Sequence, residues 1–203
     1  DLVCDNNRRQ GVSVISVKGL YGKNLKLINT NGTAPEAGID FEPNSENEVL
    51  EDIVIDGLTS YNNNGSGVVI APTLLGEVKK KVDIVINNLN SENDLRGIYM
   101  LLFNGHSDGE VLFRNPIIRK SRSGAIGVRS ISKNFSKITI DSPTIIDSNF
   151  NGIGGGVEGS GISIFRAYSD FQEDDDFRMG NIHIINPKFI KDESNGFTYI
   201  AIN

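Results

Sequence analysis

Short runs in which apolar and polar residues alternate recur along the whole chain, without the three- or four-residue spacing of an amphipathic helix. Runs of a first kind are LKLIN from Leu25, IVIDG from Ile53, IVINN from Ile84, VLFRN from Val111, ITIDS from Ile138 and IHIIN from Ile182. Runs of a second kind open on glycine, at Gly11, Gly38, Gly67, Gly97, Gly124, Gly161 and Gly196. Both kinds predict short β-strands separated by polar turns.

The two kinds of run alternate with a nearly constant period. Most successive runs of either kind start 27 to 31 residues apart, and the intervals lengthen only near the end of the chain. A repeat of this length that contains several short strands and no helix predicts a right-handed parallel β-helix, because each coil buries its apolar face against the next. We therefore expect one all-β domain over residues 1–203, a single-stranded solenoid of about seven coils with insertions near 152–161 and 166–180.

Stacking the repeats assigns each apolar residue to a row. One inner row comprises Val12, Ile39, Val68, Ile98, Ala125, Ile162 and Phe197, and the next comprises Val14, Phe41, Ile70, Met100, Ile164 and Tyr199. Alternation then places Ser13, Asp40, Val69, Tyr99, Ile126, Ser163 and Thr198 in one outer column, and Ile15, Glu42, Ala71, Leu101 and Val128 in another. Such a partly apolar outer face is expected to contact a ligand, a covering loop or another subunit. A β-sandwich or barrel is the alternative architecture.

Both ends of the chain suggest that it continues. It begins with Asp1 rather than Met and ends on TYIAIN, a strand-like run without a polar cap. Open solenoid ends expose unpaired strand edges, which invite aggregation. The sequence is therefore expected to be an excerpt of a longer β-helix, uncapped at both ends.

Composition excludes several classes of partner. The net charge is −6, and no run approaches the roughly 20 apolar residues of a membrane span. The charge profile is also not that of a nucleic-acid-binding protein, so neither a membrane nor nucleic acid is an expected partner. The single cysteine, Cys4, cannot form an internal disulfide, and no Cys/His cluster indicates zinc.

The stretch APEAGIDFEPN, residues 34–44, carries the candidate chemistry. It lies in a segment, 27–78, that contains no Lys or Arg. Asp40 and Glu42 are two residues apart on one strand face, so their β-carbons are about 6.5–7 Å apart. Inverting glycosidases hold their two carboxyl groups roughly 6.5–9.5 Å apart. The pair fits acid/base hydrolysis, with Glu36 as a third acid, whereas the alternative is a pair of ordinary solvated residues.

Candidate substrate-binding residues surround this pair. Arg8, Arg9 and Gln10 precede the first glycine and stack beside the turn that holds Glu36, where they would orient a hydroxyl-rich or anionic substrate. Arg9 serves equally well as an ion-pair partner of Glu36 or Asp40. Tyr99, in the column of Asp40, would stack on a sugar ring, with Arg96 nearby; packing is the alternative role for the tyrosine.

No cofactor is expected, and a calcium ion is only a minor alternative. The acidic run DFQEDDDF, residues 170–177, could offer oxygen ligands to Ca²⁺. It lacks the spaced pattern of a calcium-binding loop. A solvated acidic loop is the preferred interpretation of this run.

Three stretches of the chain are NNRRQGVSV, NGTAPEAGIDFEPN and NNNGSGVVI. Together they resemble the β-helix region of the pectin-lyase-like superfamily. The repeat extends this resemblance over essentially all 203 residues. INTNGTAPEAGIDFEP is similar to an interrupted polygalacturonase motif, Asn-Thr-Asp-Gly-Ile-Asp, in which Asp40 matches the aspartate of GID. The Gly-Asp-Asp, Gly-His-Gly and Arg-Ile-Lys signatures of that family are not matched. The superfamily includes polygalacturonases, pectate lyases, alginate epimerases and phage tailspikes.

This resemblance implies an extracellular, secreted or virion-associated protein whose partner is a polysaccharide. Glycosidic-bond hydrolysis by the paired carboxylates is the leading expectation. The first alternative is a non-catalytic glycan-binding or structural shaft of a tail fibre or adhesin, assembled as a homotrimer through Val69, Leu101, Ile126 and Val128. The second alternative is a polysaccharide lyase or uronate epimerase.

Overall fold

The computed structural model describes residues 1–75, 80–153, 156–167, 170, 177–192 and 200–202. In chain order its strands are β1 (Leu2–Asp5), β2 (Gln10–Val14), β3 (Val17–Ile28), β4 (Ala37–Phe41), β5 (Leu50–Tyr61), β6 (Val68–Ile70), β7 (Lys80–Glu92), β8 (Ile98–Phe103), β9 (Ser107–Asp108), β10 (Glu110–Arg114), β11 (Ile117–Arg119), β12 (Ile126–Ile131), β13 (Lys137–Asp141), β14 (Thr144–Ile146), β15 (Ile162–Phe165), β16 (Ile182–Ile185), β17 (Lys188–Ile190) and β18 (Ile200–Ile202). Two short 3₁₀ helices span Thr73–Leu75 and Gly156–Gly159. Among the described helices, none is long and apolar enough to cross a membrane.

The strands stack into two parallel ladders. The first ladder runs β1-β3-β5-β7-β10-β13-β16, with β11, β14 and β17 continuing alongside it, and the second runs β2-β4-β6-β8-β12-β15-β18. Every pairing between the named strands is parallel, and the described ranges add one isolated antiparallel bridge, between Ser132 and Met179. This confirms the parallel β-helix and excludes a sandwich of antiparallel hairpins. The solenoid has about five turns rather than the expected seven or so.

The inner rows follow the predicted register through the first four coils and then shift by one residue. Val12 pairs with Ile39, Ile39 with Val68, and Val68 with Ile98, as expected. The partner of Ile98 is Ile126 rather than Ala125. Further on, the backbone of Ile200 pairs with Ile162 and takes the place expected for Phe197, which lies outside the described residues together with Thr198 and Tyr199.

The shift at the fifth coil has a local cause at Gly124. Gly38, Gly67 and Gly97 face the interior of the corner, where an added β-carbon would meet the side chain of Ser60 or Ile118. In the fifth coil Ala125 holds the equivalent position, and Gly124 precedes it. A β-carbon on Gly124 would lie 2.5 Å from the carbonyl oxygens of both Glu158 and Ser160. Gly124 is therefore required for close approach of the 156–160 segment, not for the start of a strand.

The long strands of the first ladder are bent by residues in the left-handed conformation. Leu25 pairs with Leu58, whereas Leu20 pairs with Ile53, so the run from Leu25 is the second segment of β3 and not the expected partner of IVIDG. Between the two segments lies a column of residues with positive φ, namely Asn24, Gly57, Asn88, Asn115, Ser142 and Asn186. Asn and Gly tolerate this conformation better than other residues, which explains their frequency in the chain.

The turn before the second ladder contains a buried polar network. The Asp94 carboxylate accepts hydrogen bonds from the Asn63 backbone N–H at 2.8 Å, from Asn63 Nδ2 at 2.9 Å and from Ser91 Oγ at 2.7 Å. Burial raises the pKa of Asp94 to about 6, although these bonds and one from Ser60 oppose the rise. The network fixes the corner that leads into the strands carrying the candidate site.

Candidate functional site

The outer face of the second ladder carries the predicted acid pair. Backbone pairing stacks Ser13, Asp40, Val69, Tyr99, Gly127 and Ser163 in one outward column. The expectation that Ile126 and Val128 face outward was wrong, because the one-residue shift turns both side chains into the core, where they are fully buried. Gly127 and Arg129 take their places.

Asp40 is a buried carboxyl group on this otherwise outward column. Its exposed fraction is 1%, and neither carboxylate oxygen has a hydrogen-bond partner in the described part of the chain. Its neighbour in the column is Val69, which belongs to a small apolar cluster with Ala37 and Ala71. Asp40 is therefore not the ordinary solvated residue of the alternative interpretation.

Glu42 and Arg9 form an ion pair beside Asp40. Arg9 Nη2 lies 3.9 Å from Glu42 Oε2, and the side chains are 58% and 44% exposed. Arg9 Nε also donates a hydrogen bond to the carbonyl oxygen of Ala34 at 3.2 Å. The predicted proximity of Arg9 to the acids is thus seen, but its ion-pair partner is Glu42 rather than Asp40 or Glu36.

This environment raises the pKa of Asp40 to about 7. Burial makes the largest contribution, followed by the negative charge of Glu42. The positive charge of Arg9 partly opposes the rise. The two carboxyl groups are thus near enough for their charges to interact.

Glu36 lies in the preceding turn and stabilises it. Glu36 Oε1 accepts a hydrogen bond from the Gly32 N–H, and Oε2 accepts one from Asn64 Nδ2, both at 2.6 Å. Glu36 itself has a positive φ of 54°. The structure gives its carboxylate these turn contacts and no contact with the Asp40–Glu42 pair.

The predicted substrate-binding residues of the first coil are divided between the turn and the outer face. Arg8 lies at the same turn as Glu36, beside Gly32, and its carbonyl oxygen accepts the Thr33 N–H at 2.8 Å. Gln10 pairs with Ala37 at the edge of the outer face, and its half-buried side chain has no hydrogen-bond partner for Oε1 within the described ranges. Only Arg9 reaches the acid pair.

Tyr99 and Arg96 lie two strands away from Asp40, a distance of about 10 Å at the usual strand spacing. The Arg96 guanidinium carbon lies 4.5 Å from the centre of the Tyr99 ring. Arg96 Nη2 also pairs with Glu158 Oε2 at 2.7 Å. One face of the Tyr99 ring is therefore covered by Arg96 and is closed to a sugar in this conformation.

Segments of the chain itself cover this upper part of the outer face. Besides Glu158 on Arg96, Asp170 accepts hydrogen bonds from Arg129 Nε at 2.8 Å and from Ser130 Oγ at 2.6 Å. A covering segment, one of the three explanations for an apolar outer face, is thus present at Glu158 and Asp170. Sequence reasoning missed both pairs, although Asp170 opens the acidic run and Arg129 lies in an acid-free, basic segment.

No metal centre can be built from the described residues. They contain no group of three or more His, Cys, Asp and Glu side chains that could hold a metal ion. Residues 171–176, which form most of the acidic run considered for Ca²⁺, lie outside the described ranges.

Comparison of the chain with models of protein families, with curated proteins and with solved structures gives no match. Any assignment of function therefore depends on the geometry around Asp40.

Proposed function

We propose that the protein acts on an extracellular or cell-surface polysaccharide, and that Asp40 and Glu42 hydrolyse a glycosidic bond. Membership of the pectin-lyase-like superfamily and a secreted or virion-associated location form part of this proposal. The parallel β-solenoid is compatible with it, but a fold alone does not specify an activity.

The buried, unpartnered carboxyl group of Asp40 is the observation that carries the proposal. A desolvated carboxyl group without a hydrogen-bond donor destabilises the folded protein. Other positions in its column hold Ser13, Val69 and Ser163, which occupy the same place without that penalty. Destabilising groups of this kind concentrate at functional sites.

The two carboxyl groups have different environments, as acid and base catalysis requires. Asp40, with a pKa of about 7, retains its proton near neutral pH and is suited to protonate the leaving oxygen of a glycosidic bond. Glu42 is more exposed and is paired with Arg9, so it is suited to activate a water molecule. Asp40 gives its proton to the leaving sugar, and Glu42 accepts one from the attacking water.

Substrate access requires a local movement. Both oxygens of Asp40 are buried, whereas the adjacent side chains of Arg9 and Glu42 are about half exposed. Binding of a sugar between Asp40 and Glu42 separates the two carboxyl groups and makes room for water. Arg9 then orients the chain by donating hydrogen bonds to its hydroxyl or carboxylate oxygens.

Replacement of Glu42 tests the base. Wild type, Glu42→Gln and Glu46→Gln are incubated with a panel of soluble bacterial and plant polysaccharides, and new reducing ends are measured. We expect cleavage by wild type and a loss of about 10²–10⁴-fold in Glu42→Gln, the usual contribution of a general base. Glu46, an exposed acid of the following loop, serves as the control and should leave the rate unchanged.

Two outcomes contradict hydrolysis. An unsaturated product that absorbs in the near ultraviolet identifies a lyase, and equal rates in wild type and Glu42→Gln remove the pair from the reaction. The falling limb of the pH–rate profile provides an independent check, because the acid must be protonated. Its midpoint should lie near the pKa of about 7 of Asp40.

A non-catalytic, glycan-binding or trimeric shaft is the second candidate. It is favoured by the closed upper face, where Glu158 and Asp170 pair with Arg96 and Arg129. The predicted seam of a trimer cannot include Ile126 or Val128, whose side chains are in the core. Sedimentation equilibrium distinguishes the candidates, because a stable trimer combined with no cleavage of any polysaccharide favours the shaft.

A further inference from the structure

A shallow groove lies on a side of the solenoid that does not carry Asp40. It is formed by two adjoining hollows of ≈ 340 and ≈ 430 Å³ on the outside of the second segments of β3, β5 and β7 and of β11. The hollows share Asn90 and Glu92, so they form one continuous depression. Each hollow is within the usual size range of ligand sites.

Strand pairing repeats the groove along the solenoid axis. Its floor consists of two columns, Ile28–Tyr61–Glu92–Arg119 and Lys26–Thr59–Asn90–Ile117. Successive members of a column are about 4.8 Å apart, so four strands present equivalent positions over about 14 Å. A ligand that itself repeats along its length can therefore contact several strands in the same way.

The sides of the groove are fixed by left-handed turn residues. On one side, Asn62 Nδ2 donates to Asn29 Oδ1 and Asn93 Nδ2 donates to Asn62 Oδ1, both at 2.9 Å. On the other side, Asn88 Nδ2 donates to Asp56 Oδ1 at 3.1 Å. These bonds between coils hold the sides in place before any ligand binds, which reduces the entropy lost on binding.

The floor combines a ring, an apolar surface and unused polar groups. Tyr61 and Ile117 are 45% and 43% exposed, although large apolar side chains are usually buried. The side chains of Thr59, Tyr61 and Asn90 make no hydrogen bond within the described ranges. This combination is suited to a ligand with both apolar faces and hydroxyl groups.

Charges in the groove nearly balance. Lys26 and Arg119 are positive, Glu92 is negative, and Arg119 Nη1 lies 3.3 Å from Asp192 Oδ2. A polyanion would meet Glu92 and Asp192, and a polycation would meet Lys26 and Arg119. A neutral ligand avoids both repulsions.

We propose that this groove binds a neutral oligosaccharide chain that lies along the solenoid axis, with one sugar ring stacked on Tyr61. Hydroxyl groups of the chain exchange hydrogen bonds with Thr59 and Asn90 on neighbouring strands. The site is separate from the Asp40–Glu42 pair and does not depend on the proposed hydrolysis.

Replacement of Tyr61 provides the test. Wild type, Tyr61→Ala and Tyr21→Ala are applied to a glycan array that contains neutral and acidic oligosaccharides, and the retained glycans are titrated by calorimetry. We expect wild type to retain neutral glycans and Tyr61→Ala to bind them about 10-fold more weakly, as the loss of one stacking contact predicts. Tyr21 is a matched control, since it is 66% exposed and outside the groove, and its removal should leave binding unchanged.

Several results would overturn the proposal. These are the absence of neutral glycan binding by wild type, retention of acidic glycans alone, and equal weakening in the two tyrosine variants. Asn90→Leu, a change of an exposed side chain, keeps the test informative if Tyr61→Ala does not fold. Glu42→Gln should retain full binding to the groove, so a failure of hydrolysis and a failure of this site remain distinguishable.

Discussion

Replacing Asp40 with asparagine is expected to abolish the acid function and to stabilise the protein. Asparagine retains the size of the side chain but cannot donate a carboxyl proton, so cleavage should fall by about 10²–10⁴-fold. The free energy of unfolding should rise at pH 8, because the variant no longer carries a buried carboxylate. The measurements are reducing-end release and urea-induced unfolding of wild type and Asp40→Asn.

The sign of the stability change follows from the pKa. The pKa of Asp40 is raised in the folded protein from its ordinary value of 3.8 to about 7, so the folded protein holds a proton that the unfolded chain releases. Stability therefore falls as the pH rises from about 4 to about 7 and is constant above. The gain in Asp40→Asn should be on the order of 4 kcal/mol at pH 8 and should disappear near pH 4.

Glu46→Gln is the matched control, since it removes an exposed acid from the same region of the chain. It should change neither the rate nor the pH dependence of stability. Unchanged cleavage in Asp40→Asn would remove Asp40 from the mechanism. Unchanged stability at pH 8 would show instead that the carboxylate is hydrated or paired in solution.

Replacing Asp94 with alanine is expected to destabilise the protein by about 3–5 kcal/mol. The change leaves the backbone N–H and the Nδ2 of Asn63 and the hydroxyl group of Ser91 without their common acceptor in a fully buried corner. Each buried polar group left without a partner contributes roughly 1–3 kcal/mol. Urea-induced unfolding at pH 7 measures the loss.

Asp94→Asn separates the hydrogen bonds from the charge. Its amide oxygen can still accept from Asn63, and it cannot ionise, so we expect a loss of only about 1–2 kcal/mol. The free energy of unfolding of Asp94→Asn should also fall less than that of wild type as the pH rises from 4 to 6. In wild type the folded protein holds a proton on Asp94 that the unfolded chain releases, because the pKa of Asp94 is raised from 3.8 to about 6. Equal losses in the two variants would show that the acceptor oxygen does not stabilise this corner.

The coil-to-coil register could be predicted wherever glycine and the apolar residues keep constant offsets. Val12, Ile39, Val68 and Ile98 form the predicted row, because each precedes an outward residue by one position and follows a glycine. The prediction failed at Gly124, where the glycine accommodates a crossing segment instead. A period in sequence cannot distinguish these two reasons for a glycine.

The candidate site could be predicted only as far as the strand backbone determines it. Asp40 and Glu42 lie side by side as alternation requires, and Arg9 is near them because its coil stacks on theirs. The burial of Asp40 could not be predicted, since it depends on side-chain packing across several coils. The contacts of Glu158 and Asp170 join residues 40 to 62 positions apart, beyond the reach of the repeat.

The strictly parallel ladders have a consequence for how the molecule can change in length. Each strand in the middle of a ladder pairs with the equivalent strand of the coil before it and of the coil after it, so an interior coil meets the same kind of surface on both sides. Duplication or deletion of a whole coil would leave the remaining coils with equivalent neighbours. The length of the solenoid can therefore vary without a change at the candidate site, provided that the added or deleted coil is not one that holds Arg9, Asp40 or Glu42.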